Sequence, residues 1–168
     1  MPIQASDAVV ALRPARSEDE DFLRQVYAST RADELAQVDW SEAQRQVFVA
    51  AQFAAQSRSY FNNYPGAEFQ VIEVGGEPAG RLYLHRRPGD IRIMDLALLP
   101  AYRGQGLGTR LLRQVLAEGQ AADRPVTIHV EKFNPALGLY QRLGFRVVED
   151  KGVYYFMRWE PEAGVGIE

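Results

Sequence analysis

The sequence predicts an α/β fold of the α+β kind: a single domain whose central mixed, mostly antiparallel sheet of about seven strands is flanked by four helices. Three observations predict it. Apolar residues recur at helical spacing up to about Tyr60, and from Ala67 onward the period changes to that of strands. Three strand-like runs, Phe69–Val74, Ala79–His85 and Ile91–Leu99, are separated only by Gly75-Gly76 and by Pro88-Gly89-Asp90. Turns that short join antiparallel neighbours. Ile91–Leu99 then leads through a glycine-rich loop into a helix and on to the apolar run Val126–Val130. A strand, helix, strand unit implies a parallel pair with a right-handed crossover, so the sheet is mixed.

Taken in order, Ala8–Leu12 reads as a first strand, stopped by Arg13-Pro14. Ser17-Glu-Asp-Glu20 has the form of a capping box and starts a helix near residue 18, with Phe22, Leu23, Val26 and Tyr27 on its apolar face. Ser29–Trp40 is mixed and charged and reads as a connecting loop. Ser41 with Gln44 caps a second helix, striped by Val47, Phe48, Ala51 and Ala55, that runs to about Tyr60. Tyr60–Gly66 carries turn residues and aromatics. After the three antiparallel strands, Leu107, Leu111, Leu112, Val115 and Leu116 form one face of a third helix. Asn134-Pro135 starts a fourth, with Ala136, Leu139, Tyr140 and Leu143 on one face and Gly144 at its C-terminal cap. Phe145–Val148 and Val153–Trp159 close the chain as a hairpin around Asp150-Lys-Gly152. The domain is expected over residues 8–160, and residues 161–168 read as a flexible tail.

The stretch that carries chemistry follows Pro100, whose missing N–H ends a strand ladder. It is Arg103-Gly104-Gln105-Gly106-Leu107-Gly108-Thr109. Glycines allow positive φ and let backbone approach a ligand without a Cβ in the way. A helix start adds free N–H groups and the positive end of a dipole, which favours an anion. Arg103 adds a fork of donors suited to phosphate, and Thr109 a hydroxyl. The spacing is not the G-x-G-x-x-G of dinucleotide sites, and the chain has no Gly-Lys pair for an ATP loop.

Composition narrows the classes. The chain has 168 residues, 46% hydrophobic and 24% charged, with a net charge of -3, which gives no support to nucleic-acid binding. It has no cysteine, so disulfides, thiolate metal sites and a cysteine nucleophile are excluded. Only two histidines occur, His85 and His129, so histidine-rich metal spacing is absent and no metal is expected. The first residues lack the pattern of a signal peptide, and no apolar run approaches a membrane span. A cytoplasmic protein without membrane or nucleic-acid partners is the expectation, with a homodimer compatible.

Two motifs resemble one family. Arg103-Gly-Gln-Gly106-Leu-Gly108 resembles the R/Q-x-x-G-x-G/A signature of the GNAT superfamily, the GCN5-related N-acetyltransferases, and Leu96-Ala-Leu-Leu-Pro100 resembles its strand lead-in. Asn134-Pro-Ala136-Leu-Gly-Leu139-Tyr140-Gln-Arg-Leu143-Gly144-Phe145 resembles the family's second motif, N-x-x-A-x-x-L-Y-x-x-x-G-F. Asn134 stands six residues before Tyr140, where the common pattern has seven, so it either reaches the cofactor from a shifted position or serves only as a cap. The resemblance implies a GNAT fold with a splayed parallel strand pair and an acetyl-CoA co-substrate. It implies that the amides of Gly104, Gln105, Gly106, Leu107, Gly108 and Thr109 cradle the pyrophosphate. It further implies that Leu96, Ala97 and Leu98 pair with the pantetheine arm, that the Leu98 N–H polarises the thioester carbonyl, and that Tyr140 protonates the leaving thiolate. By its position on an apolar helix face, Tyr140 is alternatively a core aromatic.

The acceptor is expected to be a primary amine of a small molecule or peptide, which must be neutral to attack. Asp95, flanked by apolar residues in its strand, is the preferred general base, because desolvation would raise its pKa; its other reading is a hydrogen-bonded structural residue or a solvent-facing strand position. Glu131 and His129 are alternatives. The acceptor pocket is expected to involve Ser29–Trp40 and the aromatics of Tyr60–Tyr64. Rival readings are an enzyme that uses another acyl-CoA or an alcohol acceptor, and a non-catalytic acyl-CoA sensor.

Overall fold

The computed structural model describes residues 8–163. In chain order its elements are β1 (Val10–Pro14), α1 (Glu20–Ala36), α2 (Glu42–Asn63), β2 (Glu68–Val74), β3 (Glu77–Arg86), β4 (Ile91–Leu98), α3 (Leu107–Ala122), β5 (Val126–Glu131), α4 (Leu137–Arg142), β6 (Arg146–Asp150) and β7 (Tyr154–Trp159). The seven strands are ordered β1-β2-β3-β4-β5-β7-β6. β4 and β5 run parallel, in the register Ile91↔Val126, Arg92↔Thr127 and Ile93↔Ile128. β1 with β2, β5 with β7, and β6 with β7 are antiparallel. The predicted mixed, mostly antiparallel sheet with four helices is what forms. Among the described residues two compact units are distinguished, residues 8–83 with 95–105 and residues 84–94 with 106–163, and β3 and β4 contribute to both.

In the first unit three boundaries differ from the expectation. β1 does not stop at Arg13 but runs through Pro14, opposite Gln70. It is an edge strand, where a residue without an N–H is tolerated. The turn before α1 is closed by Asp19 rather than Ser17: its carboxylate accepts the Arg16 N–H at 2.8 Å. Ser29–Trp40 is not a loop over most of its length, because α1 continues to Ala36. The hydroxyls of Ser29 and Thr30 donate to the carbonyls of Val26 and Tyr27, at 2.7 and 2.6 Å, which satisfies them inside the helix. Leu35 is buried in this polar stretch and packs with Leu23, Tyr27, Val49, Phe53 and Val71.

The predicted cap of α2 is present, with the Gln44 N–H donating to Ser41 Oγ and the Ser41 N–H to Gln44 Oε1. The predicted stripe is not the inward one. Val49 and Phe53 are buried, whereas Val47 is 71% exposed. α2 also extends to Asn63, so the expected turn is confined to Tyr64–Gly66, where Gly66 has φ +86°.

In the second unit α3 buries Leu107, Leu111, Leu112, Val115 and Leu116 as expected. α4 is shorter than predicted. Asn134 Oδ1 accepts the Ala136 N–H at 2.8 Å, an Asx turn, and the helix begins only at Leu137. Its end is a Schellman cap: Gly144, at φ +102°, donates to Gln141 O, and the Phe145 N–H donates to Tyr140 O at 3.0 Å. Glu162 exchanges two hydrogen bonds with Gln120, at 2.8 and 3.1 Å. The remainder of the predicted tail, 164–168, lies outside the described residues.

Arg13 forks onto Asp19 at 2.7 and 2.8 Å and reaches Glu73 at 3.1 Å. The Arg13 hydrogen bond, against a smaller desolvation effect, holds the Asp19 carboxyl at about 2, below its ordinary 3.8. A lowered folded pKa contributes stability that is complete above the unfolded value and is lost as pH falls toward the folded one. Urea midpoints should therefore be flat just above pH 4 and fall from about pH 4 to pH 2. Asp19→Asn should lower the midpoint at pH 7 and shrink that acid-induced fall.

Candidate active site

The end of β4 is fixed by groups of the first unit. Leu99 donates its N–H to Ala79 O at 2.8 Å. On the same peptide, Leu98 O accepts from Arg103 Nε at 2.9 Å. Arg103 Nη2 donates to Ser29 Oγ at 3.1 Å. Beside this, β3 approaches β4 so closely at Gly80 that a Cβ there would overlap Ala97 O and lie 3.0 Å from Leu98 Cα. Only glycine fits such an approach. Of the predicted β4 site residues, Ala97 is buried, and Asp95, Leu96 and Leu98 are half-buried. The Arg103 side chain, expected to reach out to phosphate, is directed back to Leu98.

Asp95 differs from the expectation in its surroundings. The preferred sequence reading is a desolvated base among apolar neighbours, with a hydrogen-bonded structural residue as the alternative. Asp95 pairs with Arg81 Nη2, and the Arg81 side chain is 2% exposed. Arg81 also donates to Gln56 Oε1 at 3.1 Å and lies over the rings of Tyr83 and Tyr27, at 4.9 and 5.7 Å from their centroids. Burial opposes the Arg81 charge most strongly, yet the Asp95 carboxylate keeps its pKa raised. Burial pushes up the hydroxyls of Tyr60 and Tyr83. Asp95 is thus the counter-ion of a buried cation. Protonating it during catalysis would leave Arg81 uncompensated, which weighs against a role as base.

The loop continues through Gly104 and Gly106, at φ +72° and +80°. A Cβ at Gly104, Gly106 or Gly108 would meet nothing within 4 Å, so the steric reason for these glycines is not packing. Gly106 is the N-cap of α3, and the first bond into the helix is from the Arg110 N–H to Gly106 O at 3.0 Å. The amides of Leu107, Gly108 and Thr109 precede that bond and have no intrahelical acceptor. The first turn of α3 contains no acidic side chain. Free amides at a helix start favour an anion.

Tyr140 is 3% exposed in α4, with its ring 5.6 Å from that of Phe145. Asn134 uses its side-chain oxygen on Ala136. His129 Nδ1 lies 3.4 Å from Arg92 Nη1, and desolvation, reinforced by Arg92, lowers its pKa. Glu131 is half-buried at the end of β5. A groove of about 820 Å³ runs along α1 and α2, lined by Arg24, Ser29, Leu35, Arg45 and Val49 among others. It takes in part of the expected acceptor segment. Among the described residues no group of three His, Cys, Asp or Glu could hold a metal ion, and no helix is long and apolar enough to cross a membrane.

Comparison with known proteins agrees with this geometry. The model of the acetyltransferase (GNAT) family matches residues 29–145. The chain belongs to the GNAT family. The N-alpha-acetyltransferase RimI of Mycobacterium tuberculosis is 31% identical over 134 residues, which cover 76% of this GNAT chain and 82% of that protein. A candidate ribosomal-protein alanine N-acetyltransferase of Bacillus subtilis is 34% identical over 93 residues, covering 54% of this chain. The match spans 62% of that relative's own length, and 29% of the length of a Mycobacterium leprae relative. The PaiA N-acetyltransferase of Thermoplasma acidophilum, solved with coenzyme A, shares the fold at a TM-score of 0.68 and 18% identity, over 90% of this chain and 99% of that one.

Arg81 is the residue that sequence reasoning missed. The available signal was a lone arginine inside the apolar run Ala79–Leu84, with Asp95 in the next strand. Removing one partner of a buried pair costs about 3–5 kcal/mol, whereas replacing both with apolar groups is often neutral. Asp95→Asn should therefore lower the denaturation midpoint strongly, and Arg81→Met with Asp95→Leu should recover most of it. Equal midpoints for Asp95→Asn and wild type would show that the pair does not hold the core.

Proposed function

We propose that this chain transfers the acetyl group of acetyl-CoA to a primary amine by direct attack on the thioester. The observation that carries the reading is the family match over residues 29–145, which contains both the glycine loop and Tyr140. In this reading the amides from Gly104 to Thr109 receive the pyrophosphate, and the edge Leu96–Leu98 pairs with the amides of the pantetheine arm. The Leu98 N–H donates to the thioester carbonyl, and its bond strengthens as that oxygen gains negative charge. The amine nitrogen bonds to the carbonyl carbon, the C–S bond breaks, and the thiolate takes a proton from Tyr140. The nitrogen, neutral when it attacks, sheds one proton as the amide forms, and that proton restores the Tyr140 phenolate through solvent or His129.

Without Asp95 as a free base, acceptor acidity matters. An α-amine titrates at about 7.7–8.0, so roughly a tenth of it is neutral at pH 7, against less than about a thousandth of a lysine side chain at pKa ~10.4. That difference favours the α-amine of a peptide, or a small-molecule amine of similar acidity. The Mycobacterium tuberculosis relative, an N-alpha-acetyltransferase, supports the same choice. The absence of cysteine suits a cytoplasmic setting. The groove along α1 and α2 is the proposed approach for the acceptor.

The test pairs peptides that have a free α-amine with N-terminally blocked peptides that carry lysine, incubated with acetyl-CoA and read by mass spectrometry. Acetylation of the first set alone is expected. Acetylation of the lysine set alone would reject the α-amine choice, and no product from either set or from small amines would favour a sensor. Once an acceptor is in hand, Tyr140→Phe should lower kcat by about 10²–10⁴-fold and leave coenzyme A affinity unchanged, because its proton is needed only late in the reaction. An unchanged kcat would make Tyr140 a packing residue.

A further inference from the structure

Three contacts converge on the last two peptides of β4. Arg103 Nε donates to Leu98 O at 2.9 Å. The N–H of the same peptide, on Leu99, donates to Ala79 O at 2.8 Å. Gly80, next to Ala79, leaves room for Ala97 O. The peptide between Leu98 and Leu99 is therefore held at both its oxygen and its hydrogen, and its predecessor is confined by the close approach of β3. Ser29 completes the arrangement. Its single hydroxyl hydrogen goes to Val26 O at 2.7 Å, which turns a lone pair toward Arg103 Nη2 at 3.1 Å.

We infer that Arg103 is a positioning residue: its Nε fixes the Leu98 carbonyl, and so aims the Leu98 N–H at the thioester oxygen, rather than serving as a side-chain ligand of the pyrophosphate. This rests on the proposed acetyl-CoA reaction and adds to it a residue that acts through Leu98. A hydrogen-bond donor that must meet a developing oxyanion is effective only when held in place beforehand. Small misplacements at such a point cost rate without altering the binding of remote parts of the ligand. The chain of bonds from Val26 O through Ser29 and Arg103 to Leu98 ties that donor to the middle of α1.

The proposal makes an unusual demand of the side chain at position 103. The atom that matters is Nε, attached to Cδ. Glutamine carries its amide nitrogen on Cδ as well, at the same number of bonds from the backbone, and donates from there. Lysine has a methylene at that place and its charge one atom farther out. A phosphate ligand would be replaced better by lysine, which keeps the charge, whereas a Leu98 positioner is replaced better by glutamine.

The test needs no acceptor. Acetyl-CoA labelled with ¹³C at the acetyl carbonyl is bound to wild type, Arg103→Gln and Arg103→Lys, and the isotope-edited infrared stretch of the thioester carbonyl is read. Affinity for unlabelled coenzyme A is measured alongside by calorimetry. The expected result is a red shift of the stretch in wild type that is largely kept in Arg103→Gln and largely lost in Arg103→Lys, with coenzyme A affinity in both within about twofold of wild type. A red shift kept in Arg103→Lys, or coenzyme A affinity that falls in Arg103→Gln and survives in Arg103→Lys, would overturn the positioning role and return Arg103 to the phosphate. Wild type that binds acetyl-CoA without a red shift would overturn the aim at the thioester while leaving acetyl-CoA binding in place. Wild type that binds no acetyl-CoA would overturn the proposed function together with it.

Discussion

The approach of β3 to β4 at Gly80 is the constraint on which the proposed site depends. A side chain there would occupy the space of Ala97 O and press on Leu98 Cα, so the path of β4 over its last residues is set by an atom that Gly80 lacks. Once that path is set, Ala79 O is placed for the Leu99 N–H, Pro100 begins a tight turn, and Arg103 comes back to Leu98. The strand end is thus defined by backbone sterics first and hydrogen bonds second. An exposed loop of three alternate glycines would otherwise have little reason to hold a fixed entry, because glycine gives up the most conformational freedom on ordering.

The Arg81–Asp95 pair supports the same strands from their other residues. Two charges removed from water are costly, and their mutual attraction with added polar contacts offsets the cost only when the geometry is good. Here Gln56 supplies a hydrogen bond and the faces of Tyr27 and Tyr83 lie against the guanidinium. The arrangement links α1, α2, β3 and β4 within one unit through a single arginine. It also explains why a carboxylate in an apolar strand need not be a catalytic one: its charge is answered locally, and a proton delivered to it would disrupt the core.

The fold was legible wherever the physics is local. The glycine turns at Gly75-Gly76 and Gly152 and the apolar face of α3 follow from residue pattern and formed as read, and the C-terminal hairpin formed with its first strand shifted to Arg146–Asp150. The loop before α3 was legible for the same reason, since glycine spacing and a helix start are adjacent in sequence. What was not legible depends on partners distant in the chain. The last turns of α1 look like a loop because Leu35 is their one buried apolar residue, while Ser29 and Thr30 bond carbonyls three residues earlier and Arg31 lies over the Tyr27 ring. The inward face of α2 includes Arg45 and Gln56, so an apolar stripe alone points the wrong way. Asp95 looked isolated because Arg81 is 14 positions away on another strand. Arg103 looked like a phosphate ligand because its turn back to Leu98 and Ser29, 74 positions distant, leaves no local signature.

The account places one backbone hydrogen, that of Leu98, at the centre of the chemistry. Its most direct measurement is the amide resonance of Leu98 in a ¹⁵N-labelled sample titrated in parallel with coenzyme A and with acetyl-CoA. The two ligands differ only in the acetyl group. The account predicts that the amides from Gly104 to Thr109 move alike with both ligands, while the Leu98 amide proton moves downfield with acetyl-CoA alone. An identical Leu98 response to the two ligands, with the glycine loop responding to both, would contradict it.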